Sequence, residues 1–159
     1  MNDPNNIKRL LISNYNSCKK QANSLVEAWN DLKPLIPLAE DDIENLTKET
    51  RYIVDSLTLC FGRLQDMLGS KVFKTILKLE VEEFVTMADI LNKMEKMQII
   101  ENVEEWKRIR EARNEIFHEY KDNYEETANN LNFIISYIPK LLKIIDLVGK
   151  YINNNVLDK

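Results

Sequence analysis

The 159-residue chain contains few of the residues that interrupt helices, with three glycines and four prolines. A β fold rich in tight turns needs more of both, so their scarcity favours long, uninterrupted helices. No apolar run reaches the roughly 18 residues of a membrane-spanning helix, so no transmembrane segment is expected. The polar N-terminus also lacks the basic start and apolar middle of a signal peptide.

Cysteine and histidine are also scarce, with two of the first and one of the second. Cys18 and Cys60 fall at apolar helical positions, which predicts buried, reduced thiols in a cytoplasmic protein rather than a disulfide framework. Because His118 is the only histidine, a histidine-based metal cluster within one chain is excluded. No glycine-rich phosphate loop or zinc spacing occurs either, so we expect neither a metal nor a cofactor.

The net charge of −4 is mild and does not by itself indicate binding to nucleic acid. Any contact with RNA would therefore have to come from a local basic patch. The 44% apolar and 30% charged composition is typical of a globular protein. At this length we expect one domain, spanning residues 1–159.

Apolar residues recur every three or four positions along most of the chain, which is typical of amphipathic helices. Pro34 and Pro37 should separate the first two helices, and Gly69 should cap the second. The polar C-terminal tail is expected to fray. The pattern predicts an all-α, up-and-down bundle of four to five helices. Their ranges are near 5–29, 41–68, 81–97, 103–118 and 124–152.

The segment 106–120 holds three of the six arginines and the only histidine. Within it, Arg113 falls on the apolar stripe marked by Trp106 and Ile109, where an unpaired charge is costly. One interpretation is structural: the side chain extends to solvent or pairs with a carboxylate from the second helix. The other is functional: a cation held in a cleft or dimer interface binds an anion such as phosphate.

His118 allows the same two interpretations, since a lone histidine is more often structural than catalytic. Asn114 and His118 are one helical turn apart on one face. Arg113 and His118 are about 140° apart on an ideal helix, so two copies around a two-fold axis could bring both to a shared cleft. Such a cleft could cleave RNA without a metal. Histidine would move protons, arginine would stabilise charge on the phosphate, and Asn114 would support either by hydrogen bonds.

Arg113, Asn114, His118 and Tyr120 together form a recognisable motif. It runs arginine, a polar residue, three further residues, histidine, any residue and tyrosine. The motif resembles that of the HEPN superfamily. It is most similar to the HepT-type ribonuclease toxins, which pair with minimal nucleotidyltransferase antitoxins.

A second segment supports the resemblance. Residues 61–69 contain Arg63 and Asp66 ahead of a glycine. This is similar to the arginine-x-x-aspartate segment of the same family. The resemblance in layout covers roughly residues 5–152, so it includes more than one motif.

The resemblance implies a homodimer with a composite cleft that the segment 113–118 of both copies lines. His118 would be the acid and base, Arg113 the phosphate stabiliser and Asn114 a supporting polar group. The substrate would be RNA. The partner would be a cognate nucleotidyltransferase antitoxin, which can AMPylate the tyrosine that matches Tyr120. AMP there would add bulk and negative charge beside an anion-binding cleft.

Two alternatives remain open at the level of the sequence. The chain could be a non-catalytic HEPN-like subunit that binds a nucleotidyltransferase. It could also be an unrelated helical interaction protein in which Arg113 and His118 are structural. An ion pair of Arg113 within one chain would favour the last alternative, and a two-fold dimer with these side chains in one cleft would oppose it.

Overall fold

The computed structural model describes residues 3–119 and 123–157, and for residues 117–119 it describes the backbone alone. All the regular secondary structure in these ranges is helical, which confirms the predicted all-α bundle. Within them, no helix is both long enough and apolar enough to cross a bilayer. The α-helices are α1 (Pro4–Leu32), α2 (Glu40–Glu44), α3 (Lys48–Met67), α4 (Phe73–Leu79), α5 (Met87–Lys96), α6 (Val103–Glu119) and α7 (Tyr124–Ile152).

The long helices pack in neighbouring pairs around one apolar core. Helix α1 lies along α3, and α6 lies along α7. Phe73 of α4 and Trp106 of α6 are both fully buried, with ring centroids 5.5 Å apart and tilted ring planes. Truncating a buried aromatic residue of this kind costs about 3–5 kcal/mol. This pair therefore fixes the helix that carries the motif against the start of α4.

Gly69 does not end the second predicted helix, so that prediction was wrong. The chain continues from α3 through a π-helical segment, Leu68–Val72, directly into α4. Gly69 does not have a positive φ. Glycine often ends a helix because it adopts the left-handed conformation easily. Here the apolar pattern continues beyond it, and the burial of Val72 and Phe73 keeps the chain helical.

Other helix ends differ from the predicted ranges because side chains cap the helices. The second predicted helix is divided: α2 ends at Glu44, and Thr47 caps the start of α3 by accepting a hydrogen bond from the backbone of Thr50. Helix α5 begins at Met87, later than residue 81, because Thr86 and Asp89 form a reciprocal capping box. Hydrogen bonds from the backbone N–H groups of Thr86 and Val85 lower the pKa of Asp89.

The C-terminal tail differs from its prediction, whereas both cysteines agree with theirs. Residues Asn153–Leu157 continue α7 as a π-helical turn and bury Val156, instead of fraying. Cys18 and Cys60 are buried and free, as predicted. Burial raises the pKa of the Cys18 thiol to about 11. At neutral pH this thiol is therefore a small apolar core residue and not a nucleophile.

Helix α4 ends in a Schellman motif that carries valine where glycine is usual. The backbone N–H of Val81 donates to the carbonyl of Lys78, and that of Glu82 donates to the carbonyl of Leu77. Val81 has a φ of 57° and is 88% exposed. A left-handed conformation costs a residue with a Cβ about 1–2 kcal/mol, and no packing offsets that cost here.

We expect Val81→Gly to raise the free energy of unfolding by about 0.5–1 kcal/mol, because the relief of left-handed strain exceeds the added chain entropy of glycine. Urea denaturation followed by circular dichroism measures the change. Val85→Gly is the matched control, since Val85 is equally exposed but has no positive φ. Equal effects of the two substitutions would contradict the assignment of strain to Val81.

Candidate active site

Helix α6 carries the motif and is fixed at its start. The carboxylate of Glu95 accepts a hydrogen bond from the backbone N–H of Val103 at 2.7 Å. The side chain of Asn102 accepts one from the N–H of Glu105 at 2.9 Å. These bonds satisfy N–H groups that a helix start leaves unpaired. The register of α6 relative to the bundle is therefore set before the motif begins.

Arg113 is buried and paired with Asp66 of α3. Its guanidinium donates from Nη2 to one carboxylate oxygen at 2.6 Å and from Nη1 to the other at 3.3 Å. Arg113 is 8% exposed, whereas the side chain of Asp66 is 61% exposed. This two-bond geometry is among the stronger polar contacts in proteins. The structural interpretation of Arg113, a carboxylate partner from the second predicted helix, is thus what the structure contains.

Gly62 makes room for this ion pair. A Cβ placed on Gly62 would lie 2.5 Å from Nη1 of Arg113. Real Cβ contacts are not that short, so the guanidinium can lie against α3 only because residue 62 has no side chain. Gly62 and Asp66 are one turn apart on α3, and together they form the seat of Arg113.

Two polar atoms at the α3–α6 contact remain unpaired. The side-chain Nε2 of Gln65 donates a hydrogen bond to the backbone carbonyl of Trp106 at 3.2 Å. The other amide atom, Oε1, is buried without a hydrogen-bond partner in the described part of the chain. The same is true of Nε of Arg113. Leaving such an atom unsatisfied costs about 1–3 kcal/mol, so these two atoms reduce the net stability gained at this contact.

The structure describes the other three motif residues only in part. Asn114 is exposed, and no hydrogen bond links it to Arg113 among the described residues. His118 lies in α6 one turn after Asn114, but its side chain is outside the described set. Tyr120 lies outside the described residues altogether. The structure therefore brings Arg113 to Asp66, with Asn114 on the solvent side of the same helix.

Glu104 and Glu105 of α6 form ion pairs with lysines, whereas Glu111 is exposed and has no ion pair among the described residues. Glu104 pairs with Lys107, and Glu105 with Lys140 at 2.7 Å. Arg108 and Arg110 are exposed and have no ion pair in the described ranges. The cations most available to an incoming anion are thus these two arginines and not Arg113. Among the described residues, no group of acidic residues, cysteines and histidines could hold a metal ion.

Sequence reasoning overlooked Gln65 and Ser70, which border the ion pair. A signal was present for Gln65, because it lies one turn after Phe61 and one residue after Leu64, within the apolar stripe of α3. A buried amide on such a stripe is as unusual as Arg113 on α6. The hydroxyl of Ser70 donates to the backbone carbonyl of Asp66 at 2.6 Å. No residue pattern marked that bond in advance.

No protein-family model matches this chain, and no curated protein or solved structure matches it either. The chemistry that α3 and α6 can perform therefore has to be deduced from their own residues. They offer a buried arginine held by an exposed carboxylate, an exposed asparagine, and two exposed arginines that form no ion pair with any described residue.

We expect Asp66→Asn to destabilise the protein by about 2 kcal/mol, because it leaves the buried guanidinium without a counter-charge. Arg113→Met should change stability by less than about 1 kcal/mol, since a buried ion pair is commonly replaced by apolar atoms at little cost. Guanidinium unfolding of both variants and of the double variant tests this. A loss in Arg113→Met as large as in Asp66→Asn would show that Arg113 holds the fold by more than this pair.

Gly62→Ala should lower stability by about 1 kcal/mol even though alanine favours helix, because the new Cβ forces the guanidinium away from Asp66. Gly69→Ala is the matched control on the same continuous helix. Its added Cβ would lie 3.8 Å from atoms of Met87 and Trp106, an ordinary contact. Thermal unfolding of the two variants compares them directly. If both are equally stable, Gly62 is not needed to seat Arg113.

Proposed function

We propose that this protein is a metal-independent RNA endonuclease of the HEPN type. It would act as a homodimer and as the toxin of a toxin–antitoxin pair, with a nucleotidyltransferase as its antitoxin. The observation that supports the proposal most is the unbroken helix α6. It carries the arginine-asparagine-x3-histidine motif, with Arg113, Asn114 and His118 on one continuous helix.

The reaction needs one proton acceptor and one proton donor around a phosphodiester. The 2′-hydroxyl loses its proton to His118 of one copy and attacks the phosphorus, forming a 2′,3′-cyclic phosphate. The bond to the 5′-oxygen breaks, and that oxygen takes a proton from His118 of the other copy. Histidine suits both steps because its usual pKa lies near neutrality. Asn114 lies one turn away on the exposed side of α6, where its amide can donate to the phosphate.

The ion pair with Asp66 limits what Arg113 can do in this reaction. Asp66 takes one hydrogen from each terminal nitrogen, so a phosphate could use only the hydrogens that remain. Arg113 also offsets the charge of the exposed Asp66 carboxylate, which would otherwise repel RNA. Arg113 thus contributes through its position beside Asp66 as well as through any direct contact with phosphate.

The same ion pair within one chain favours a second candidate, an unrelated helical interaction protein in which Arg113 is structural. It is also compatible with a helical subunit that binds a nucleotidyltransferase and performs no chemistry. Arg113 uses its strongest hydrogen bonds within the chain, as expected of a structural arginine. In that case, partner binding would survive the loss of His118, and the protein freed of its partner would cleave no RNA. The candidates share a helical bundle, but only the endonuclease requires His118 for its activity.

We expect purified protein to cleave single-stranded RNA in the presence of a chelator, and His118→Ala to reduce the rate by about 100-fold or more. Arg113→Met should also lose activity while remaining folded. Gel analysis of labelled RNA gives the rates, and mass spectrometry of the same samples reports whether Tyr120 carries AMP. Unchanged cleavage by His118→Ala would overturn the proposed chemistry. No cleavage by unmodified wild type would favour the docking subunit.

A further inference from the structure

Exposed apolar side chains are concentrated at one end of the bundle. Three parts of the chain meet there: the start of α1, the end of α4 with the loop that follows it, and the end of α7. The hydroxyl of Tyr151 in α7 donates to the carboxylate of Glu80 in that loop at 2.5 Å. This end holds four of the seven exposed large apolar residues in the described part of the chain: Leu10, Val81, Val85 and Leu157. Apolar residues that cluster on a surface commonly mark an interaction site.

The loop between α4 and α5, residues 80–86, is held firmly although its valines are exposed. The ammonium group of Lys93 pairs with the carboxylate of Glu82 at 2.7 Å. The carboxylate of Asp89 accepts a hydrogen bond from the backbone N–H of Val85 at 3.0 Å. Since the loop is already ordered, a partner that binds the valines loses little conformational entropy on ordering them.

Val81 is strained for no benefit within its own chain. Its φ of 57° lies in the left-handed region, and its side chain is 88% exposed. Glycine would adopt this conformation without a steric cost. A strained residue whose side chain packs on nothing in one copy is accounted for if that side chain contacts a partner.

A cavity of about 390 Å³ lies directly beside the valines, between the start of α1 and the end of α4. Its apolar walls come from Pro4, Ile7 and Leu79. Pro4 is exposed and the other two are half-buried, so a side chain from outside can reach all three. The remaining lining residues are Lys78, Val81, Glu82 and Glu83.

The rim of this cavity carries two opposite charges that have no partner. Lys78 and Glu83 are both exposed, and neither side chain forms an ion pair with a described residue. One surface thus presents a projecting valine beside a cavity, and an unpaired cation beside an unpaired anion. A surface that complements itself in this way is what an isologous interface requires, because the same patch of both subunits meets across a two-fold axis. The acidic loop also disfavours an anionic lipid surface as the partner.

We propose that this end of the bundle is a two-fold interface between two copies of the chain. Val85 of each copy enters the cavity of the other copy and packs against Ile7 and Leu79. The carboxylate of Glu83 in each copy pairs with the ammonium group of Lys78 in the other. Val81 becomes covered at the same interface, which offsets the strain of its backbone.

This interface is separate from the proposed active site. The side-chain hydrogen bond from Asn130 to Glu115 places the motif half of α6 beside the start of α7. Tyr151 marks the other end of α7, roughly 30 Å further along the helix axis. The inference therefore concerns a second contact between copies and does not depend on the proposed function.

The first test is the oligomeric state of Val85→Glu, measured by sedimentation equilibrium over a wide range of protein concentration. We expect the substitution to weaken self-association at this interface about tenfold or more, because it places a charge in an apolar contact. Tyr52→Glu is the matched control. Tyr52 is 60% exposed, and it lies roughly 40 Å from Leu79 along the continuous helix of α3 and α4.

The second test uses the proposed ion pairs. Lys78→Glu alone and Glu83→Lys alone should each weaken self-association about fivefold, because like charges then face each other across the axis. An equal mixture of these two variants should associate about as well as the parent protein, since one acidic copy then meets one basic copy. Lys71→Glu is the control, because Lys71 is exposed on the same continuous helix but does not line the cavity.

Circular dichroism confirms that each variant is folded. A parent protein with the same mass as Val85→Glu at every concentration would overturn the inference. So would an equal loss in Tyr52→Glu, or a mixture of the two charge variants that associates no better than either alone.

The outcome can be read whether or not the proposed nuclease dimer forms. If that dimer forms as well, Val85→Glu takes a tetramer to a dimer; if it does not, the substitution takes a dimer to a monomer. RNA cleavage is not a readout here, so the failure of the nuclease proposal and the failure of this interface are distinguishable.

Discussion

The contact between α3 and α6 depends on one buried charge. The guanidinium of Arg113 could not remain in an apolar interior without a counter-ion, and Asp66 supplies it through two hydrogen bonds. That bond in turn requires a residue without a side chain at position 62, one turn earlier on α3. Apolar packing and the capping hydrogen bonds at its start place α6, and the ion pair adds a directional contact that fixes which face of α6 meets α3 at this point.

The candidate site divides into a structural half and a half open to solvent. Arg113 and Gln65 lie inside, each with one unsatisfied polar atom, while Asn114 and Arg110 lie outside. Each unsatisfied atom lowers the net stability that the packing of α3 against α6 provides. Asn114 and Arg110 lie on the exposed side of α6, where a ligand could reach them.

Much of the fold could be predicted from periodicity, and the failures have physical causes. The stripe of apolar residues marked the long helices because burial of one face decides where they form. Gly69 was wrongly predicted to end a helix. The free energy gained by burying Val72 and Phe73 exceeds the preference of glycine for a helix end. The late start of α5 was missed because the apolar pattern around Val81 and Phe84 concealed the capping pair Thr86 and Asp89. Arg113 stood out on its stripe, but spacing alone could not choose Asp66 among the many carboxylates of the second helix.

The π-helical segment Leu68–Val72 sets the rotational phase between two stretches of one continuous helix. A chain shortened by one residue there would turn everything beyond it by about 100° about the helix axis. Phe73 would then lose its contact with Trp106. The length of this segment is therefore a requirement of the fold beside the apolar character of its buried residues, Leu68 and Val72.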